Sequence, residues 1–288
     1  MEILLLGGTG FICEYLAKDL LQNDADHIVA AHISDMGDEE RIAGVEYRRI
    51  DMEHIEDSFR SALRDIDVVV FAIQPDPAFI KKALAVLGGY PQKKKLVYLS
   101  TVLVYPEGSH GHREDAARSP LSAYEAGKAL EEDMCMYFAN ESGSAVCIAR
   151  LGNVYGDVKN RGIVDHLLRA LVQKKTFHVN GDGTQTRDYI HVEDAARALN
   201  HLIHADQKNA VEIYNVCSGI GFSILDLIGM IEMAARKKLE YIFAPPIEEK
   251  HTVIGDPAKL RQTATSSEEG DMLSSLKKTY HAYLAHYE

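Results

Sequence analysis

The opening of this chain constrains its fold more than any other stretch: an apolar run, Glu2 to Leu6, breaks at Gly7-Gly8-Thr9-Gly10 and passes straight into Phe11 to Gln22, whose apolar residues recur at helical spacing. A strand, a glycine-rich turn and a helix in that order make the first half of a βαβ unit, the crossover that parallel strands require. Glycines at 7 and 10 permit a tight turn and close backbone approach, and the helix N-terminus beyond them offers unpaired N–H groups to a pyrophosphate. The spacing predicts a dinucleotide site built from Gly7, Thr9, Gly10, Phe11 and Ile12.

The alternation continues. His27 to Ile33, Val45 to Ile50, Asp67 to Ile73, Lys95 to Ser100 and Ala145 to Arg150 read as strands, and Ile55 to Leu63, Ala78 to Leu87 and Leu121 to Ala139 as the helices between them. After Gly156 the rhythm fades into a helix near Val164 to Gln173, a strand Thr176 to Val179, a helix Val192 to His204, a strand Ile213 to Val216 that could rejoin the sheet, and a mixed tail from Ser223. The expected fold is α/β, a Rossmann-like doubly wound parallel sheet with a smaller, discontinuous α/β substrate domain. The division places residues 1–165 plus 187–217 in the dinucleotide-binding part and 166–186 plus 218–288 in the substrate-binding part.

Composition excludes several functions. With 43 acidic and 31 basic side chains the net charge is -12, which opposes attraction to nucleic acid or to anionic lipid. The apolar run Val68 to Ile73 is far too short to span a bilayer, and Met1-Glu2 opens without a basic leader, so the expectation is a soluble cytoplasmic protein. Cys13, Cys135, Cys147 and Cys217 have no metal-ligand spacing and sit in hydrophobic contexts, as reduced core thiols do.

Tyr124-Glu125-Ala126-Gly127-Lys128 places a phenol and an ammonium four residues apart on a helix expected to start at Ser119-Pro120. Sharing a face, Lys128 can ease the ionisation of Tyr124, giving a proton donor suited to carbonyl chemistry. Alone, the pair also fits a half-buried ring beside a solvated lysine.

Together with the glycine turn, this pair resembles the extended short-chain dehydrogenase/reductase family, the nucleotide-sugar epimerases and dehydratases. The third glycine of the family turn is Cys13 here, small enough for the close helix-to-strand packing that position serves. Leu99-Ser100-Thr101-Val102-Leu103-Val104-Tyr105, Arg150-Leu151-Gly152-Asn153-Val154-Tyr155-Gly156 and the stretch from Gly181 to Val192 are similar to further family signatures. The resemblance implies that Thr101, Tyr124 and Lys128 are catalytic. It also implies that Asp51 and Met52, then Ala72, Ile73 and Gln74, and then Leu151 lie along the cofactor, with Lys128 on the nicotinamide ribose.

Relatives that eliminate water or decarboxylate carry acids at one or both positions after the catalytic serine or threonine. Here these are Val102 and Leu103, which cannot transfer protons, so the resemblance implies chemistry at a single carbinol carbon; a 4-ketoreductase stands slightly ahead of a 4-epimerase, because an epimerase must retain its NAD and the usual ribose acid is missing. NAD and NADP stay open, because the end of the second strand offers His32 and Ser34, neither a ribose acid nor, from His27 to Glu40, a lysine or arginine. On the substrate side the resemblance assigns Asn153, His178, Asn180 and Arg187 to a sugar nucleotide. The arginine that many relatives carry late in the chain is missing, leaving only Lys250 or His251 as substitutes and leaving room for a non-sugar carbonyl substrate or a non-catalytic dinucleotide sensor. Tyr137 and Phe138 fit either a homodimer contact or an intrachain core.

Overall fold

A computed structural model describes residues 1–33, 37, 41–263 and 270–287 of the chain. Ser34 lies outside the described residues, as does Asp35. From the N-terminus run β1 (Glu2–Leu6), α1 (Phe11–Leu20), β2 (His27–His32), β3 (Val45–Arg49), α2 (Ile55–Ala62), β4 (Val68–Phe71), α3 (Pro77–Gly88) and β5 (Lys95–Thr101). A tight helical turn at Val102–Val104 leads to α4 (Ala123–Ser142), β6 (Val146–Leu151), β7 (Asn153–Tyr155), α5 (Ile163–Val172), β8 (Phe177–Asn180), β9 (Thr186–His191) and α6 (Val192–His204). Then come β10 (Val211–Val216), β11 (Gly221–Ser223), α7 (Ile224–Ala235), β12 (Tyr241–Ala244), β13 (Thr252–Val253), α8 (Ala258–Thr263) and α9 (Met272–Tyr287).

The main sheet has seven strands in the order β10-β6-β5-β4-β1-β2-β3, every neighbouring pair parallel. Its central strands are apolar without alternation because helices cover both faces; all four residues of β4 and all six of β6 are buried. On one face Phe59 of α2, Ile80 of α3 and Cys135 of α4 pack with Leu4, Val69 and Tyr98. On the other, Leu16 of α1 and Leu199 of α6 pack with Ile3, Val70 and Val97. The strand order reverses beside β1, with β2 on one side and β4 on the other, and such a switch point opens a crevice beyond the carboxyl ends of the strands. As the pattern predicts, the strand after α6 returns to the main sheet, at the edge next to β6.

Outside that sheet, β9 pairs with β7, β11 and β13, and β8 pairs in parallel with β12. A third apolar cluster joins Leu167 of α5, Leu227 of α7 and Tyr283 of α9.

Helix α4 begins at Ser122, three residues later than Ser119-Pro120 suggests. The Ser122 side chain accepts from Glu125 N (3.2 Å) while Glu125 reaches back to the Ser122 N–H, so both orphan donors are satisfied by a reciprocal cap that Ser119 cannot offer. The same helix is fixed to the sheet by charge. Arg150 on β6, 2% exposed, binds the fully buried Glu132 through two nitrogens, Nε to Oε1 at 2.9 Å and Nη2 to Oε2 at 2.7 Å. Ser100 Oγ donates to the same carboxylate at 2.5 Å, and Arg150 Nη1 donates to Tyr105 Oη at 2.9 Å. A paired buried charge is tolerated; removing one partner leaves the other desolvated and uncompensated. Glu132→Gln, which keeps the size and removes the charge, is therefore expected to lose about 3–5 kcal/mol of stability in urea unfolding followed by circular dichroism.

Candidate active site

A cavity of ≈ 1030 Å³ fills the crevice at the switch point. Its floor is the glycine turn. Gly7 has φ +80°, and a Cβ there would stand 2.4 Å from the Ala72 carbonyl oxygen; one on Gly8 would stand 2.5 Å from the Ala30 Cβ. The backbone thus forms a cradle that side chains would fill. Gly10, the cap residue of α1, makes no side-chain cap hydrogen bond, and Phe11, Ile12 and Cys13 at the first turn of that helix line the cavity. Bare N–H groups at the positive end of a helix suit an anion, so these residues fit the pyrophosphate of a dinucleotide. Cys13 is 1% exposed and packs against the β1 side of the core, as the substitution for glycine requires.

Thr9, His32, Met52, Ala72, Ile73, Gln74 and Leu151 also line the cavity, together with Thr101, Tyr124, Lys128 and Asn153. Asp51 does not: its carboxylate is turned to Glu53 N (2.9 Å) and His54 Nδ1 (3.0 Å), while Ile50 and Met52 on either side face inward. His32 pairs in register with Arg49 of β3, so an arginine stands beside the end of β2 that a scan of residues 27–40 does not include.

Strand alternation separates the two hydroxyls at the end of β5. Ser100 points to Glu132, and Thr101 to the cavity, where its oxygen accepts from Leu103 N (3.2 Å), leaving its own proton to donate. Tyr124, 40% exposed, opens onto the same space. Gly127 lets α4 press against the segment after β4, since a Cβ there would stand 2.7 Å from Pro75 Cβ. Lys128, 4% exposed, reaches across that contact to donate to the carbonyls of Ile73 (2.9 Å) and Leu99 (2.8 Å).

Burial lowers the Lys128 pKa to about 8, against the opposing pull of Glu131, Cys135 and Glu132. The Tyr124 phenol is raised, by burial and then by the negative charges of Glu131 and Glu125. The expected easing of Tyr124 ionisation by Lys128 is thus outweighed by burial and by these carboxylates, and the ammonium donates to backbone carbonyls. Val102 is fully buried and Leu103 lines the cavity, so neither position supplies an acid. Among the described lining residues the one carboxylate is Asp76, whose Oδ1 caps α3 by accepting from Phe79 N (3.0 Å).

The remaining substrate candidates stand apart from the cavity lining. Arg187 binds Glu249 (2.7 Å) and the carbonyls of Thr186 and His251. His178 is exposed on β8, and the Asn180 carbonyl accepts from Gln185 Nε2 (3.0 Å). Lys250 is 6% exposed and held by Glu125 (2.7 Å) and by the carbonyls of Leu103 and Tyr105 at 2.5 and 2.7 Å, so it cannot replace the missing arginine. Sequence reading missed the cavity-lining Lys159, Asn160 and Arg161, which precede α5 in a loop without a motif.

Comparison with known proteins gives the family and the fold. A decarboxylase of UDP-N-acetyl-alpha-D-glucosaminuronate from Bacillus cytotoxicus is 32% identical over 163 residues, 53% of this chain and 50% of the relative, so the chain matches half of that protein's length. The UDP-glucose 4-epimerase of Corynebacterium glutamicum is 26% identical over 290 residues, covering 90% of this chain and 86% of the relative. The crystal structure of UDP-glucuronic acid 4-epimerase from Bacillus cereus, in complex with UDP-glucuronic acid and NAD, shares the fold over 100% of both chains with a TM-score of 0.89 at 24% identity. Residues 3–217, from β1 through the last strand of the main sheet, match the profile described as NAD dependent epimerase/dehydratase family. The chain therefore belongs to the NAD-dependent epimerase/dehydratase family, of the extended short-chain dehydrogenase/reductase type.

Proposed function

We propose that the protein interconverts a hydroxyl and a ketone at one carbon of a nucleotide sugar, and that it does so as a 4-epimerase holding NAD through the cycle. The observation that carries this reading is the convergence of Thr101, Tyr124 and Lys128 in one cavity with the glycine cradle, beside Val102 and Leu103 where an acid would be needed for elimination or decarboxylation. The sequence-based preference for net reduction rested on the missing acid at the end of β2. Near-full-length similarity to a 4-epimerase, and a fold shared with another that is complexed with NAD, support epimerisation and NAD instead.

When bound, the nicotinamide supplies the acceptance and return of hydride. Tyr124 takes the proton of the substrate hydroxyl as the carbon is oxidised and returns it on re-reduction. Thr101 donates its free proton to the same oxygen, and Lys128 holds the cofactor ribose and counters the charge that grows on Tyr124. The residue groups 1–165 plus 187–217 and 166–186 plus 218–288 serve as cofactor and substrate parts in this reading. Leu130 and Tyr137, exposed seven residues apart on α4, support a homodimer through that helix, whereas Phe138 is buried in the intrachain core.

One observation favours a second reading. Arg187, the cation assigned to a diphosphate, is neutralised by Glu249, and Lys250 is buried, which favours a carbonyl substrate without a diphosphate. Plain UDP distinguishes the two. If the site takes a nucleotide sugar, Glu249→Gln frees Arg187 and tightens UDP binding several-fold in calorimetry; unchanged, absent binding in both proteins supports the other substrate class. Tyr124→Phe is expected to lower turnover of UDP-glucose or UDP-glucuronic acid, followed by proton NMR, by about 10²–10⁴-fold while NAD still binds; full turnover would remove Tyr124 from the chemistry.

A further inference from the structure

Behind Lys128 lies a second buried carboxylate that the chemistry above does not use. Glu131, on α4 one turn beyond Lys128, is fully buried. Its Oε1 accepts from Asp76 N at 2.5 Å, in the segment that lines the cavity after β4. Its Oε2 accepts from the hydroxyl of Tyr98, itself fully buried in the middle of β5. The Lys128 ammonium sits over the ring of that same tyrosine, 4.8 Å from its centroid. Cation, ring, hydroxyl and carboxylate thus form one chain, and all of it is closed off from solvent.

Burial raises the Glu131 pKa, and the hydrogen bonds from Tyr98 and Asp76 N and the charge of Lys128 oppose that rise in favour of the carboxylate. Both carboxylate oxygens of Glu131 receive donors, and Lys128 gives its protons to two carbonyls. Burial disfavours the charged form of an ammonium 4% exposed and bonded only to neutral oxygens, and a nearby carboxylate opposes that. Glu132 is a poorer partner, because its oxygens are already saturated by Arg150, Arg118 and Ser100.

Resting on the catalytic reading of Lys128, we propose that Glu131, acting through Tyr98, is the positioning carboxylate that keeps Lys128 an ammonium and aims it at the cofactor ribose and Tyr124. Glu131 does not touch the reacting atoms. By binding Asp76 N it also ties the charge state of Lys128 to the wall along which a cofactor would lie.

The titratable groups facing this chain are Tyr124, Glu131, Glu132 and Cys135 from α4, Tyr98 from β5 and Asp76 from the segment before α3. Burial lowers the Lys128 pKa to about 8 even with Glu131 present, and Glu131 is the first of the groups opposing that fall. Removing its charge moves the Lys128 pKa further down. Affinity that needs the ammonium is complete below that pKa and fades as pH rises through it, so the fade begins at lower pH when Glu131 is neutral.

The test is the dissociation constant of NADH, read by its fluorescence across the neutral to alkaline range. In the unaltered protein affinity weakens on the alkaline side, and Lys128→Met removes that dependence. Glu131→Gln is expected to move the midpoint acidward by about one pH unit. Tyr98→Phe, which deletes one hydroxyl and guards against a misfolded Glu131 variant, should move it in the same direction by less. A midpoint that stays in place, or moves alkaline, in a folded variant overturns the proposal, since a merely structural role would weaken binding equally at every pH. Failure of the catalytic reading shows differently, as an alkaline limb that survives Lys128→Met.

Discussion

The buried pair of Arg150 and Glu132 is the interaction on which the rest of the site depends. It ties α4 to β5 and β6 at one point, and every group that Tyr124 and Lys128 must meet is measured from that contact. Twenty residues of helix could slide or rotate over an apolar sheet face at small cost, because hydrophobic contact is not directional. A bidentate guanidinium–carboxylate pair with a serine on one oxygen has a single good geometry. The cap at Ser122 sets where the helix begins, Glu132 sets its rotation, and Gly127 sets how near it comes to the segment after β4.

That frame explains why the site is assembled from distant pieces of chain. The cradle comes from the first βα turn, Thr101 from the end of β5, Tyr124 and Lys128 from the first turns of α4, and Leu151 and Asn153 from the end of β6 onward. All lie at carboxyl ends of parallel strands or just beyond, where a doubly wound sheet leaves its crevice. Asp76 is the one carboxylate among the described lining residues and its Oδ1 caps α3, so Tyr124 is the group placed to transfer a proton.

Much of this was legible in the sequence, for identifiable reasons. Strands buried on both faces have no alternation to misread, so β4 and β6 stand out as bare apolar runs between helices. Gly7 and Gly8 mark the cradle because a Cβ at either would collide with the neighbouring strands. The start of α4 was misplaced because Ser119-Pro120 and Ser122 both resemble caps, and only the reciprocal bond with Glu125 distinguishes them. The partners of Arg187 and Lys250 were beyond reach for a different reason. Glu249 lies 62 residues from Arg187, and Leu103 lies 147 from Lys250, so nothing local reports either contact. Glu131 carried a signal that went unused, since a carboxylate three residues after a buried lysine shares its face of the helix.

The central claim is that chemistry is confined to one carbon whose hydrogen leaves and returns within the site. It is tested most directly by following UDP-glucose and UDP-glucuronic acid deuterated at the sugar C4 in NMR with the NAD-loaded protein. The account predicts an epimer inverted at C4 that keeps its deuterium there. Deuterium lost to water, carried to another carbon or accumulated in free reduced cofactor would contradict it.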